Sequence, residues 1–167
     1  MPVGSEHRSP PRLDARVSFV LIGGLAATAH GSPQITNDVD ITPERARENV
    51  AQLALPLKEL HARIRTASEP DGIPFDHDAE SLARTEMLYL VTDFGDLDVS
   101  FTPTGTRGFG DLTRQAVRMM PFGVPTQAAS LADVVRSKEA AGRLKDLAAL
   151  PTLRRLLEAE ENERRGR

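Results

Sequence analysis

Apolar and polar positions along this chain fall into blocks, and each block predicts an element. Val17 to Ile22 (VSFVLI) is a short β-rich run that stops at Gly23-Gly24, as a buried strand entering a tight turn does. Leu25 to His30 is Ala-rich and predicts a short helix, closed by Gly31 and the turn-prone Ser32-Pro33. Asp38-Val-Asp-Ile-Thr42 alternates polar with apolar, which predicts a strand with one polar face. Thr42-Pro43-Glu44 offers an N-cap followed by proline at the first helical position, predicting a helix through about Leu53. A second helical piece is expected from Leu57 to Arg65, after Pro56, and residues 66 to 80 read as loop. Met87 to Thr92 and Leu97 to Phe101 flank Asp93-Phe-Gly-Asp96 and predict an antiparallel hairpin. Val117 to Met120 and Val124 to Ala128, around Pro121-Phe-Gly123, predict another. From Ser130, a candidate N-cap, the pattern turns helical: Leu131, Val134 and Val135 share one stripe. Leu144, Leu147 and Leu150 extend it, and Pro151 is expected to break it before a last helix.

Neither end carries this periodicity. Residues 1 to 15 mix Pro, Ser and charge and predict a flexible tail, and the closing EENERRGR is expected to fray. The reading is therefore an α/β (α+β) chain: tail 1–15, core 16–129, and a helical part 130–167 belonging to the same domain. A chain of 167 residues is long enough to bury a real core. Cysteine is absent, which excludes disulfides, thiolate zinc sites and cysteine nucleophiles and fits a reducing compartment; the expected location is cytoplasmic. Met1 to Arg16 lacks the apolar core of a signal peptide and no later run approaches a membrane span, so no membrane partner is expected. The net charge of −3 decides nothing, because a local basic patch can bind nucleic acid on an acidic protein. Arg136, Lys138, Arg143, Lys145, Arg154 and Arg155 gather in the C-terminal third, either as a solvated helix face or as such a patch.

The chemistry concentrates elsewhere. Asp38 and Asp40 are two apart in a strand, so both carboxylates leave the same face. At about 4 Å and an effective dielectric of about 20, two such charges repel by roughly 4 kcal/mol, so a pair in a cleft calls for a cation or a shared proton. Mg2+ takes hard oxygen ligands of this kind, commonly one or two carboxylates completed by water and substrate phosphates. A bare D-x-D is nonetheless more often an acidic strand face. Gly23-Gly24 adds a strand-to-helix turn where a phosphate can approach backbone N–H groups, although a lone Gly-Gly is usually an ordinary turn. Asp98, on a separate predicted strand, brings a third carboxylate, which permits two metals or two ligands plus a base. Asp96 shares its parity but lies closer to the turn, where Asp is common for local reasons.

Gly23-Gly-Leu-Ala-Ala-Thr-Ala-His-Gly31, then Thr36-Asn-Asp-Val-Asp40, then Asp96-Leu-Asp-Val99 resembles the minimal nucleotidyltransferase superfamily. With Ser137-Lys-Glu-Ala-Ala141 and Arg143-Leu-Lys-Asp146, the chain is most similar to the AbiEii and MenT group of toxin nucleotidyltransferases, over about residues 17 to 157. The resemblance implies a small mixed sheet flanked by helices with a helical C-terminal part. It implies metal on Asp38 and Asp40, with Asp98 as the third carboxylate of the catalytic and metal set. Gly23, Gly24, Thr36, Lys138 and Asp146 become the nucleotide-site candidates, Lys138 as a phosphate contact and Asp146 as the nearest match to a later acidic residue. The cofactor is expected to be Mg2+ or Mn2+ and the substrate an NTP, CTP among the candidates. The partners implied are tRNA, whose 3′ end would receive nucleotides and so be blocked from charging, and a cognate antitoxin. The chain departs from the pattern in having Gly24 where relatives carry Ser, and Gln34 where relatives carry Arg, so a cationic phosphate contact is lost or supplied elsewhere.

Other residues have ordinary readings beside functional ones. Thr36 can be a regulatory phosphorylation target or a β-favouring Thr without a role. His30 can reach phosphate or hold local structure, and His61 and His77 have no partner at metal-ligand spacing. Two rival functions stand beside tRNA modification: the same chemistry on a small aminoglycoside-like acceptor, and a catalytically silent nucleotide-binding or interaction module.

Overall fold

The computed structural model describes residues 17–167; the expected tail 1–15 and the first core residue lie outside them. Among the described residues seven strands form one mixed sheet in the order β3-β4-β5-β2-β1-β7-β6. The strands are β1 (Phe19–Ile22), β2 (Asp38–Pro43), β3 (Arg63–Ile64), β4 (Met87–Thr92), β5 (Gly95–Ser100), β6 (Val117–Met119) and β7 (Thr126–Ala128). Both hairpins form where the alternation places them: Thr92 pairs Gly95 across the first, and Met119 pairs Thr126 across the second. The sheet is nevertheless not a meander. β2 pairs antiparallel with β1 but parallel with β5, and β1 is parallel to β7.

Alternation along the central strands sorts side chains by chemistry. Leu21 lies opposite Ile41, which lies opposite Val99, and all three are buried. The alternate positions of β2 and β5 carry Asp38, Asp40, Asp96 and Asp98. The core is closed by the apolar faces of α2 (Arg47–Glu59), which buries Val50, Leu53 and Leu57, and of α5 (Leu131–Ala141), which buries Leu131, Val134 and Val135. The helix α1 (Gly23–Ala29) packs on β1 and β2 and meets α5, and α5 packs on α6 (Leu144–Arg165). Two short helices, α3 (Ala79–Ala83) and α4 (Phe109–Leu112), complete the set. Ser130 caps α5 by accepting from the Asp133 N–H at 3.1 Å, and Gly142 ends it in the left-handed conformation, φ 62°.

Several expected boundaries are corrected. Gly23 and Gly24 belong to α1, which begins two residues earlier than Leu25. Thr42 is not an N-cap: β2 runs on to Pro43, Thr42 is fully buried, and α2 starts after Ala46. Pro56 does not divide a helix. It lies inside α2, buried in the core, and this packing offsets the one intrahelical bond that its missing N–H forgoes. The helix expected to reach Arg65 ends at Glu59, and Arg63–Ile64 instead pairs antiparallel with β4. Pro151 likewise sits inside α6, on its exposed side, where its missing N–H forgoes one intrahelical bond to the carbonyl of Leu147. The expected frayed end EENERRGR is mostly helical, since α6 continues to Arg165.

Candidate active site

The parallel pairing of β2 with β5 sets Asp38 opposite Asp96 and Asp40 opposite Asp98. Asp38, Asp40 and Asp98 each present a carboxylate oxygen, and the three oxygens lie within 4.8 Å of one another. This is the set singled out by its strand parity, brought together by two strands far apart in the chain.

The three acids are held differently. Asp38 accepts the Thr36 hydroxyl at 2.6 Å. Asp98, with a side chain only 10% exposed, accepts Nη2 of Arg65 at 3.0 Å. Asp40 has no hydrogen bond or ion pair to any described residue. Burial, then the charges of Asp38 and Asp98, push its carboxyl up to about 7, while Lys145 and Lys138 pull it part of the way back. Burial also raises the Asp98 carboxyl, against the opposing charge of Arg65. A hard, all-oxygen donor set whose central member is destabilised as an anion fits a divalent cation, and Asp38, Asp40 and Asp98 are the residues able to hold one.

The glycines serve these acids directly. Gly23 has φ 65°, and a Cβ there would lie 2.4 Å from Oδ2 of Asp40; a Cβ on Gly24 would lie 2.9 Å from the Thr36 side chain. Asp40 and Thr36 thus occupy the space that missing side chains leave at the start of α1.

Lys138 and Asp146 form one unit with Arg143. Asp146 is fully buried and accepts Lys138 Nζ at 3.1 Å and Arg143 Nε at 2.6 Å. Burial acts to raise the Asp146 carboxyl, but the hydrogen bonds from Arg143 and Lys138 outweigh it and hold the group below its usual range. Asp146 therefore meets the two cations, and Lys138 and Lys145 are the groups whose charges reach Asp40. His30 has a structural engagement on both ring nitrogens, with Glu160 at 3.0 Å and the Ala129 carbonyl at 2.8 Å.

Sequence reasoning missed Arg65. A predicted helix covered its position, and only the strand pairing of Arg63–Ile64 with β4, continued by the Arg65 N–H donating to the Tyr89 carbonyl at 2.8 Å, places its side chain near β5. For the basic run of the C-terminal third, left open as a solvated helix face or a binding patch, the structure supplies partners for three of its members. Arg136 pairs with Asp111 and Asp133, Arg143 with Asp146, and Arg154 with Glu139.

No family model matches the chain, and no curated protein matches it significantly. Among solved structures it is similar to that of a "putative nucleotidyltransferase" from Thermotoga maritima, with 18% sequence identity, a TM-score of 0.51, and coverage of 87% of this chain and 85% of the other. At that identity the likeness is one of fold. The mixed sheet with its flanking and C-terminal helices is thus a nucleotidyltransferase-like fold, as the motif resemblance implies.

Proposed function

We propose that this protein is a Mg2+- or Mn2+-dependent nucleotidyltransferase that moves an NMP from an NTP to an acceptor hydroxyl. The observation that carries this reading is the convergence of Asp38, Asp40 and Asp98 within 4.8 Å, in a fold of nucleotidyltransferase type. A divalent cation held by these carboxylates supplies charge neutralisation for the triphosphate. Thr36 orients Asp38, and Gly23 and Gly24 seat Asp40 and Thr36 at the start of α1, beside the expected path of the phosphates. Lys138, steadied by buried Asp146 and close enough for its charge to act on Asp40, would donate its remaining N–H groups to the phosphates. In the transfer the acceptor oxygen bonds to the α-phosphorus and its proton passes to Asp98. The bond from the α-phosphorus to the bridging oxygen breaks, and pyrophosphate leaves with the electron pair.

For the acceptor we propose the tRNA 3′ end, with CTP among the candidate donors, and for the cell a cytoplasmic toxin controlled by a cognate antitoxin. Support comes from the ordered motifs that resemble the AbiEii and MenT group and from the exposed cation Lys145 next to the acidic face. The deciding experiment incubates the purified protein with each labelled NTP, Mg2+ or Mn2+, and either total RNA or an aminoglycoside. Labelled tRNA is the expected product. Labelled aminoglycoside with unlabelled tRNA would remove the toxin reading and keep the chemistry, and no labelled product with any acceptor would favour a silent binding module.

A further inference from the structure

The carboxylates of the site are not equivalent, and Arg65 makes the difference. Its guanidinium reaches over β4 to Asp98, at 3.0 Å from Nη2, and lies 3.4 Å from Asp96 through Nε. The side chain is 30% exposed and its Nε is buried without a well-aligned hydrogen-bond acceptor, so the group is set into the sheet face rather than trailing in water. No other ion pair reaches Asp98 among the described residues, and neither Asp38 nor Asp40 has one. Asp96 is more solvated, with its side chain 39% exposed.

Charge balance follows from this placement. With Asp98 and Asp96 sharing the Arg65 guanidinium, Asp38 and Asp40 are the two converging carboxylates without a cationic ion-pair partner among the described residues, and a single divalent cation centred on them matches that pair. A second cation beside Asp98 would meet a fixed positive group already bonded to one of its two oxygens. We propose that Arg65 is a positioning residue that restricts the site to one divalent cation, centred on Asp38 and Asp40, and reserves the free oxygen of Asp98 for the acceptor hydroxyl. This rests on the nucleotidyltransferase reading and decides between the two uses of a third carboxylate, second-metal ligand or base, in favour of the base.

The test is Mn2+ binding to the full chain without nucleotide, followed by electron paramagnetic resonance of the free ion and by calorimetry. Wild-type protein should bind one Mn2+. Arg65→Met should bind a second ion, or bind the first at least about tenfold more tightly, because a full positive charge has left the first neighbours of the site. Arg65→Gln, which removes the charge but keeps a polar side chain, should behave in the same way, and Arg65→Lys should keep wild-type stoichiometry. Unchanged affinity and stoichiometry in both neutral variants, with wild type binding Mn2+, would overturn the role of Arg65 alone. Two ions on the wild-type protein would overturn it as well. Failure of wild type to bind Mn2+ at all, or equal binding by Asp40→Asn, would overturn the carboxylate-site reading and this inference with it.

Discussion

The acidic face of β2 and β5 and the basic surface of α5 and α6 lie side by side but handle charge in opposite ways. On the sheet, three carboxylates are gathered with one guanidinium among them, and Asp40 has no ion pair and only partial relief from the charges of Lys145 and Lys138. On the helices, Arg136, Lys138, Arg143 and Arg154 each have an acidic partner. Folding alone would not favour the repulsion on that face, which is why the proposed function is placed there. The helices, by contrast, pair most of these cations within the protein and leave exposed Lys145 without an ion pair among the described residues.

The sharpest way to break this comparison is to neutralise the acids. Asp38→Asn and Asp40→Asn should each lower nucleotide transfer by roughly a thousandfold or more, since the divalent cation's contribution to such a step is several kcal/mol. Near wild-type turnover at saturating Mg2+ in either variant would remove the site from Asp38 and Asp40. The next largest effect belongs to the helices: Asp146→Ala strands Lys138 and Arg143 and should cost about 3 kcal/mol of stability, read as a lower urea midpoint. A loss below about 1 kcal/mol would mean that the buried pairings contribute little.

The two regions should also respond to pH with opposite sign. Asp40 has a folded pKa near 7, above its ordinary 3.8, so metal-free protein is favoured at low pH and loses that contribution as pH rises from about 4 towards 7. Asp146 is held below its ordinary range, so its contribution is present above the ordinary carboxylate pKa and is lost as pH falls through the depressed value. Asp40→Asn should therefore raise metal-free stability at pH 7 by about 1–3 kcal/mol and change it little near pH 4, measured by denaturant melts across the range. A variant less stable than wild type at pH 7 would contradict the repulsion. The smallest effect is expected at the helix surface, where Arg154→Ala should cost about 0.5 kcal/mol or less because its pair with Glu139 is solvated. A thermal melt shifted by more than about 5 °C would show that this pair is more than surface charge.

How much of this was legible in the sequence depends on whether local spacing or distant pairing decides the matter. The two-residue spacing of Asp38 and Asp40 fixes their common face through the strand period alone, and the same parity marks Asp98. The Gly23 stop was legible as a turn, but its reason, the close approach of Asp40 Oδ2, depends on β1 meeting β2. Arg65 was illegible because apolar periodicity over Leu57 to Arg65 favours a helix, whereas the helix stops at Glu59 and the sheet takes Arg63–Ile64 as an edge strand against β4. The prolines misled in the other direction. Pro56 and Pro151 carry a real local cost, but α2 continues through the first, which is buried in the core, and α6 continues through the second, which is exposed. The partners of the basic run were not legible, because Asp111 and Glu139 lie elsewhere in the chain and only the fold brings them to Arg136 and Arg154.

The parallel register of β2 and β5 has a kinetic consequence. The β4–β5 hairpin closes through a two-residue turn, but Asp98 cannot join Asp38 and Asp40 until a long intervening segment has been looped and the non-local parallel pairing made. Recovery of Mn2+ affinity during refolding should therefore lag behind recovery of β-structure followed by circular dichroism. Simultaneous recovery would mean that the parallel pair forms as early as the hairpin. A chain stalled with its hairpins made has most of its strands and none of its chemistry, so the carboxylate cluster works as a built-in report that the fold is complete.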